Sequence, residues 1–173
     1  MAPILKLSTL LCLLLFALPC FAKEPIRTIE GRVTNVSDGD TLQVTDHLGT
    51  KVKVRLYGID APETAKGHKL GQPYGTESHQ ALQTKVIGQE VHLEVLDIDK
   101  YRRLVALVWQ SGRNINLEMV AEGHAWAYRK YLDGIYRTEF VDAENQAQKT
   151  RRGLWQHRDP QPPWEYRKTA RLK

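Results

Sequence analysis

Cysteine is nearly absent from this sequence. The chain of 173 residues has two, Cys12 and Cys20, and both lie within its first 22 residues. If that segment is removed, the remaining chain forms no disulfide bond, and its hydrophobic core alone must hold it together. It also has no thiolate to serve as a nucleophile or a metal ligand, so we expect neither a cysteine hydrolase nor a cysteine-ligated zinc site.

The chain also lacks an apolar run long enough to cross a bilayer comfortably. Its most apolar stretch, from Leu7 to Leu18, is too short for a membrane span. With Lys6 before it and Ala22 after it, this stretch has the three-part layout of a secretory signal peptide. A buried core helix and a membrane anchor are the alternatives. We expect a cleaved signal peptide over residues 1–22 and an exported mature chain, Lys23–Lys173, in the periplasm or the medium.

The histidines have no spacing typical of metal ligands, and the sequence has no internal repeat and no low-complexity segment. We interpret the histidines as ordinary structural residues; they are His47, His68, His79, His92, His124 and His157. The net charge is +5, and removal of the one lysine in the leader lowers it to about +4. A modestly basic domain is compatible with a polyanionic partner but does not demonstrate one.

Alternation of apolar and polar residues predicts five strands, and apolar spacing of three and four predicts helices. The predicted strands cover residues 28–36, 41–45 and 51–57 and two segments near 91–95 and 104–108; the helices cover Thr76–Ile87, a segment ending at Gly123 and a segment ending at Gly153. Three strands, a helix, two strands and two helices suggest a five-stranded OB-type Greek-key barrel with three helices. We assign this domain to residues 23–156, and a proline-broken, basic tail to residues 157–173, which either packs through Trp155 and Trp164 or stays loose.

Acidic residues stand where two of the predicted strands end. Asp38 and Asp40 form an Asp-Gly-Asp turn, and Asp60 and Glu63 surround a stiff Ala-Pro pair. If the second and third strands pair as a hairpin, Asp40 and Asp60 emerge at the same end. Two carboxylates and a backbone carbonyl there suit a hard divalent cation, although such a turn is by itself more often only a turn. Without a cation, two unpaired carboxylates so close would raise each other's pKa.

Arginines accompany these acids. Arg55 lies on the polar face of the strand that leads to Asp60, and Arg102 and Arg103 stand where the fifth strand begins. Two converging guanidinium groups beside a metal would form a phosphate clamp. A solvated arginine on a sheet surface is the alternative for Arg55.

In order and spacing, these segments resemble the staphylococcal nuclease (thermonuclease) family. The matching segments are VSDGDTLQV (36–44), VRLYGIDAPE (54–63), DKYRRLVALVW (99–109), NINLEMVAEGHAWAYRKY (114–131) and AENQAQKTRRGLW (143–155), which together span roughly residues 28–156. No single segment is decisive, but their combination is specific. The resemblance implies the same fold, an OB barrel with three helices, and Ca²⁺ as the cofactor.

The resemblance also implies a metal site and a catalytic carboxylate. Asp40 and Asp60 match the two carboxylate ligands of the calcium ion, and Ala61 matches the position that contributes a backbone carbonyl. The family's type member has threonine at that position, a change that a backbone ligand tolerates. Glu63 matches the carboxylate that acts either as general base for the attacking water or as a group that orders water near the metal.

The phosphate-binding residues of the family also have counterparts. Arg55 and Arg103 match the pair that binds the scissile phosphate, and Lys100 and Tyr101 match residues that touch the terminal phosphate of a bound nucleotide. Arg102 stands where the type member has glycine. The family's loop shape and exonuclease preference therefore do not carry over directly at this position.

An aromatic region for base stacking completes the implied site. Tyr128 and Tyr131 match it, within a residue or so of register. The implied function is that of a monomeric, calcium-dependent secreted nuclease that acts on DNA and RNA, as endonuclease and also as exonuclease, and leaves 3′-phosphate ends. Sequence preference should be weak, and single-stranded or breathing regions should be favoured. The rival functions are a non-catalytic OB module for single-stranded nucleic acid and an exported structural or adhesion domain; metal-dependent strand cleavage discriminates among them.

Overall fold

The computed structural model describes residues 23–68 and 70–170. The predicted signal peptide and its cleavage site lie outside these residues. Within the described part of the chain, none of the helices is long and apolar enough to cross a membrane. The strands are β1 (Arg27–Asp38), β2 (Thr41–Asp46), β3 (Lys51–Leu56), β4 (Ile59–Asp60), β5 (Glu90–Ile98), β6 (Leu104–Gln110), β7 (Arg113–Asn114) and β8 (Trp126–Ala127).

Five of these strands close into a barrel. Strands β1, β2 and β3 form an antiparallel meander, β5 and β6 join it on the other side of β1, and a parallel pairing of β3 with β6 closes the ring. In that closing pair Arg55 lies opposite Val105. The predicted five-stranded OB-type barrel is therefore confirmed, and the predicted hairpin of the second and third strands is present with Thr41 opposite Arg55.

The barrel encloses the hydrophobic core because its strands alternate. Val44 and Leu42 of β2, and Val54 and Leu56 of β3, point inward and are almost fully buried, while Lys51 and Lys53 of β3 face solvent. Each such side chain contributes about 1.5–3 kcal/mol when it is fully buried. The period of two in the sequence therefore specifies both the strands and the face that each turns to the core.

The helices are α1 (Gly75–Val86), α2 (Ile115–Ala121), α3 (Gly134–Lys149) and α4 (Pro163–Ala170). The first three correspond to the predicted helices, within a residue at each end for α1. The three helices predicted for the domain are confirmed, and the tail that follows residue 156 adds a fourth, α4. This helix starts at Pro163, which suits the first helical position since proline's fixed φ is helical and its missing N–H costs nothing there.

Short strands that the sequence pattern did not predict place the acidic segment. Gly58 has a φ of 74°, and a side chain there would collide with Leu132, so the chain turns sharply after β3. Strand β4 then pairs with β8, which sets Asp60 opposite Trp126. Two-residue strands carry no measurable periodicity, which is why alternation could not reveal them.

Candidate active site at the mouth of the barrel

The Asp-Gly-Asp turn between β1 and β2 points Asp40 toward the segment that follows β4. One carboxylate oxygen of Asp40 accepts a hydrogen bond from the Thr41 hydroxyl (2.8 Å), and the other accepts one from the Ala61 amide (3.1 Å). Gly39 has no space for a side chain, because a Cβ would lie 2.0 Å from the Ser78 hydroxyl of α1. The glycine thus lets α1 pack directly against the turn that presents Asp40.

Arg55 joins the two acids at the barrel mouth. Its Nη1 lies 2.8 Å from Asp40 Oδ2, and its Nη2 lies 2.8 Å from Asp60 Oδ1. Asp60 is completely buried and Asp40 nearly so. Burial raises the pKa of Asp40, but the adjacent Arg55 guanidinium and the Ala61 amide outweigh burial and hold the pKa below 3.8. Arg55 is therefore an internal counterion of this acid pair and is not a solvated surface residue.

Glu63 is held in place by its neighbours along the chain and by α1. A Cβ on Gly75, the first residue of α1, would lie 2.1 Å from the Glu63 carbonyl oxygen, so glycine allows the helix to start directly against this segment. Gln72 donates its amide N–H to the same carbonyl (2.8 Å). Burial raises the pKa of the Glu63 carboxyl above 4.5, and a hydrogen bond from Arg167 opposes that shift.

Asp38, the first acid of the turn, received no role from the sequence and has a structural one. Its carboxylate accepts hydrogen bonds from the backbone N–H (3.1 Å) and the hydroxyl (2.9 Å) of Thr64, and it pairs with Lys66 (2.7 Å). It therefore fixes the loop directly after Glu63. Lys66, in the loop that follows Glu63, is therefore held by this acid.

Arg103 enters the cleft from the turn before β6. Its guanidinium pairs with Asp99 at 2.7 Å, and the Asp99 carboxylate also accepts the Tyr101 and Arg103 amides. Arg102 adopts a left-handed backbone with φ of 63°, so the chain keeps here the conformation that glycine would adopt easily. A non-glycine residue pays roughly 1–2 kcal/mol for that conformation. The ammonium group of Lys100 and the guanidinium of Arg103 lie 5.0 and 5.6 Å from the centre of the exposed Tyr101 ring.

Aromatic residues form one side of the cleft. Tyr128 and Tyr131 meet edge to face with ring centres 4.8 Å apart, and Tyr131 is more than half exposed. Trp164 of α4 stacks face to face on Tyr128 at 5.2 Å with an interplanar angle of 2°. Trp126 contacts both Trp155 (4.3 Å) and Trp164 (5.7 Å), so it packs within this group of aromatic rings.

Arg167, also of α4, was missed by the sequence analysis and lies among the acids. Its Nη2 is 2.6 Å from Asp60 Oδ2, and its Nη1 is 2.6 Å from Glu63 Oε1. The signal that could have found it is local: Pro162-Pro163 begins a helix, and Trp164 and Arg167, three residues apart, then share one face. Nothing in the sequence showed where that face would dock.

The structure brings all the predicted site residues together. A cleft of about 770 Å³ opens at the barrel mouth, and every predicted site residue lines it except Asp60 and Ala61, which are buried directly behind its wall. Arg55 and Arg103, distant in sequence, meet in this cleft because the parallel pairing of β3 with β6 closes the barrel beside it.

The residues present suit a hard cation. Among residues 23–68 and 70–170, no three His, Cys, Asp or Glu side chains form a ready metal cluster. The predicted set needs only the Asp40 and Asp60 carboxylates and the Ala61 carbonyl, all oxygen donors of the kind that calcium prefers. The guanidinium of Arg167, held between Asp60 and Glu63, shows that this acidic position attracts a positive charge.

The barrel and its acid–arginine cleft are those of a hydrolase of the nuclease class, and comparison with known proteins specifies the family. The family model described as staphylococcal nuclease homologue matches residues 53–157. An uncharacterized endonuclease of Escherichia coli O157:H7 is 36% identical over 91% of this chain and 94% of its own length. One from Haemophilus influenzae is 38% identical over 82% of this chain and 74% of its own length. A micrococcal nuclease of Shigella flexneri is 35% identical over 82% of each chain.

The chain belongs to the staphylococcal nuclease family. The matched region contains Arg55, Asp60, Glu63 and Arg103; Asp40 precedes it and α4 follows it.

Proposed function

We propose that the protein is a calcium-dependent nuclease that hydrolyses phosphodiester bonds of DNA and RNA and leaves 3′-phosphate ends. The observation that carries the proposal is the meeting of two buried aspartates, one half-buried glutamate and two arginines at one mouth of the barrel. Carboxylates for a cation beside paired guanidinium groups are the parts that stabilise a phosphoryl transition state.

Asp40, Asp60 and the Ala61 carbonyl would hold the calcium ion. When bound there, the ion would neutralise charge on the phosphate oxygens and favour attack by water. The fit is supported by the oxygen-only donor set and by the guanidinium group that this acidic position already attracts.

The arginines bind the scissile phosphate in this proposal. Arg55 is fixed by two ion pairs to buried acids, and Arg103 is fixed by Asp99, so both guanidinium groups are preorganised toward the cleft. Such groups stabilise the charge that builds on the phosphate oxygens as the bond to the leaving group lengthens. In other phosphoryl-transfer enzymes an arginine of this kind contributes about 10³–10⁵-fold in rate.

Glu63 serves the attacking water. The water oxygen bonds to phosphorus in line with the bond to the 5′-oxygen, which breaks, and Glu63 accepts the water's proton or orders that water for attack. Positioned general bases supply about 10²–10⁴-fold. The 5′-oxygen leaves and takes a proton from solvent, so the phosphate stays on the 3′ side.

The remaining residues of the cleft bind the polynucleotide without reading its sequence. Lys100 and Tyr101 meet a neighbouring phosphate, and Tyr128 and Tyr131 offer ring faces and edges to a base. Stacking accepts any base, and phosphate contacts carry no sequence information, so preference should be weak. An unstacked base is needed for this contact, which favours single strands and breathing duplexes.

Cleavage of denatured DNA and of RNA by the mature chain, Lys23–Lys173, tests the proposal. We expect cleavage with Ca²⁺, none with EGTA, and a loss of at least about a hundredfold for Glu63→Gln. Glu139→Gln, an equivalent change at an exposed position of α3, should leave the rate unchanged. Phosphatase treatment of the products should convert their 3′ ends from phosphate to hydroxyl. Products whose 3′ ends carry a hydroxyl before this treatment would contradict the 3′-phosphate assignment. Binding without cleavage would show a non-catalytic nucleic-acid module.

We also propose that the chain is exported through its leader and acts as a monomer. The leader's composition supports export. The amino-terminal sequence of the protein recovered from outside the cytoplasm should begin at Lys23, and a full-length cytoplasmic product would contradict export.

A further inference from the structure

The carboxyl-terminal helix, α4, lies across the candidate active site. It follows the predicted nuclease domain and lies outside the region that the family model matches. Two of its side chains, Trp164 and Arg167, enter positions that the proposed reaction needs. The helix is therefore part of the site in this structure, although nothing in the proposed reaction requires it.

Arg167 takes the position of a cation. Its Nη2 lies 2.6 Å from Asp60 Oδ2, which is about the distance of a calcium ion from a carboxylate ligand, roughly 2.3–2.6 Å. Nη1 approaches Asp60 Oδ1 at 3.1 Å and Glu63 Oε1 at 2.6 Å. Together with Arg55, the guanidinium uses both oxygens of Asp60. A divalent ion bound to the same carboxylate would overlap with the Arg167 guanidinium and would be repelled by its positive charge.

Trp164 takes the position of a base. Its ring lies parallel to that of Tyr128, with centres 5.2 Å apart, as a stacked nucleobase would lie. Tyr131 contacts Tyr128 edge to face, and Trp164 covers one face of the Tyr128 ring. A base cannot stack on that face while Trp164 occupies it.

Apart from Trp164 and Arg167, few contacts hold the helix in place. The Tyr166 hydroxyl donates to the carbonyl oxygens of Leu70 (3.0 Å) and Gly71 (3.1 Å), and the Gln72 side chain donates to the Gln161 carbonyl. Of the residues of α4, Pro163 is buried and the others are half-buried or exposed. An eight-residue helix with so little buried surface can leave without disturbing the barrel core.

We propose that α4 is an internal competitive inhibitor: Arg167 excludes the metal from Asp60, and Trp164 excludes a base from Tyr128. The proposal rests on the nuclease function proposed above. Metal and polynucleotide bind only when the helix moves away. The apparent affinity for each is therefore the affinity of the open form multiplied by the fraction of molecules that are open. The protein alone is then mostly closed, and substrate and metal open it together.

Calcium binding to the intact mature chain tests the first half of this proposal. Isothermal titration calorimetry should show that Arg167→Met binds Ca²⁺ about tenfold or more tightly than the unchanged protein, because a charge-assisted pair to a buried carboxylate no longer competes. The matched control is Lys168→Met. Lys168 is the next residue of the same helix and about two-thirds exposed, it pairs with Glu165, and its replacement removes the same charge. Its affinity should change less than twofold.

The outcomes separate this proposal from the proposed function. Equal calcium affinity in the unchanged protein and in Arg167→Met, with normal cleavage, would overturn the inhibitor and leave the nuclease intact. Weaker binding in Arg167→Met would also overturn it, since Arg167 would then assist the site. Failure of both proteins to bind Ca²⁺ or to cleave DNA would overturn the nuclease function, and the inhibitor with it.

Hydrogen exchange of the unchanged protein gives a second readout that needs no variant. Amides of residues 164–170 should exchange several-fold faster when Ca²⁺ and a non-cleavable single-stranded oligonucleotide are added together, while amides of α1 stay unchanged or slow down. Trp164→Ala should lower the KM for DNA more than it changes kcat. Unchanged or slower exchange in α4 on addition of both ligands would contradict a helix that leaves.

Discussion

Replacement of Arg55 by Met should weaken the fold as well as abolish cleavage, because this arginine is the counterion of two buried acids. Its guanidinium lies 2.8 Å from Asp40 and 2.8 Å from Asp60. Removal of one partner from a buried pair costs about 3–5 kcal/mol, because a charge is left uncompensated. We expect the lower end, about 3 kcal/mol, since Arg167 still pairs with Asp60.

Thermal and urea unfolding of the metal-free proteins measure this effect. For a domain of this size a loss of 3 kcal/mol lowers Tm by roughly 6–12 °C. Arg103→Met is the matched control. Arg103 pairs with Asp99, which is less buried than Asp40, so we expect a loss of about 1 kcal/mol. Both variants should lose cleavage by orders of magnitude, so the loss of stability, and not the loss of activity, distinguishes the two arginines.

Calcium should reduce the difference in unfolding free energy between Arg55→Met and the unchanged protein. A cation replaces the lost counterion, and a ligand at a hundred times its Kd stabilises the state that binds it by about 2.7 kcal/mol. Activity should stay lost, because the phosphate still lacks its arginine. Equal stability of Arg55→Met and Arg103→Met without metal would refute the counterion role. The role would also be refuted if calcium left the difference in unfolding free energy between Arg55→Met and the unchanged protein as it was.

Three further changes test other parts of the site. Burial raises the pKa of Asp99, but hydrogen bonds and the Arg103 guanidinium outweigh it and lower the pKa below 3.8, so the stabilisation from Asp99 is fully present above pH 3.8 and is lost as the pH falls through the lowered pKa. The unfolding free energy of Asp99→Asn should therefore lie below that of the unchanged protein at pH 7, and the difference should shrink as the pH falls below 3.8. Gly75→Ala should displace Glu63 and lower kcat at least tenfold with little change in KM, as initial rates would show. Arg103→Ala should cost more activity than Tyr128→Ala, and equal losses would contradict this ranking.

The barrel was predictable because its strands are amphipathic in a regular way. The alternation in β2 and β3 fixes which face is buried, and a hairpin between them necessarily delivers Asp40 and Asp60 to one end. Gly88, with φ of 72°, follows the end of α1 as the sequence predicts, but Thr76, which the sequence suggests as the cap, lies inside the helix, and the N-cap is Tyr74 without a side-chain capping hydrogen bond. The positions of Arg55 and Arg103 followed from the resemblance, and the parallel β3–β6 pairing supplies their physical reason.

The docking of α4 could not be predicted from the pattern. The helix is short and mostly polar, so neither apolar periodicity nor length marks it. Its contacts join residues about a hundred positions apart, as in the pair of Arg167 with Glu63, and no local rule reaches that far. The paired role of Asp38 is hidden for a similar reason, since an Asp-Gly-Asp turn gives no sign of the loop that its first acid will hold.

The parallel pairing of β3 with β6, the seam that closes the barrel, also determines at which stage of folding the active site forms. Strands β3 and β6 are separated by some fifty residues of chain and pair late, because a long loop must be closed before this contact forms. Arg55 lies on one side of the seam, and Arg103 directly precedes the other. A nascent or unfolded chain therefore carries both arginines apart, with no clamp for phosphate, and recovery of cleavage in a refolding experiment times the closure of the barrel.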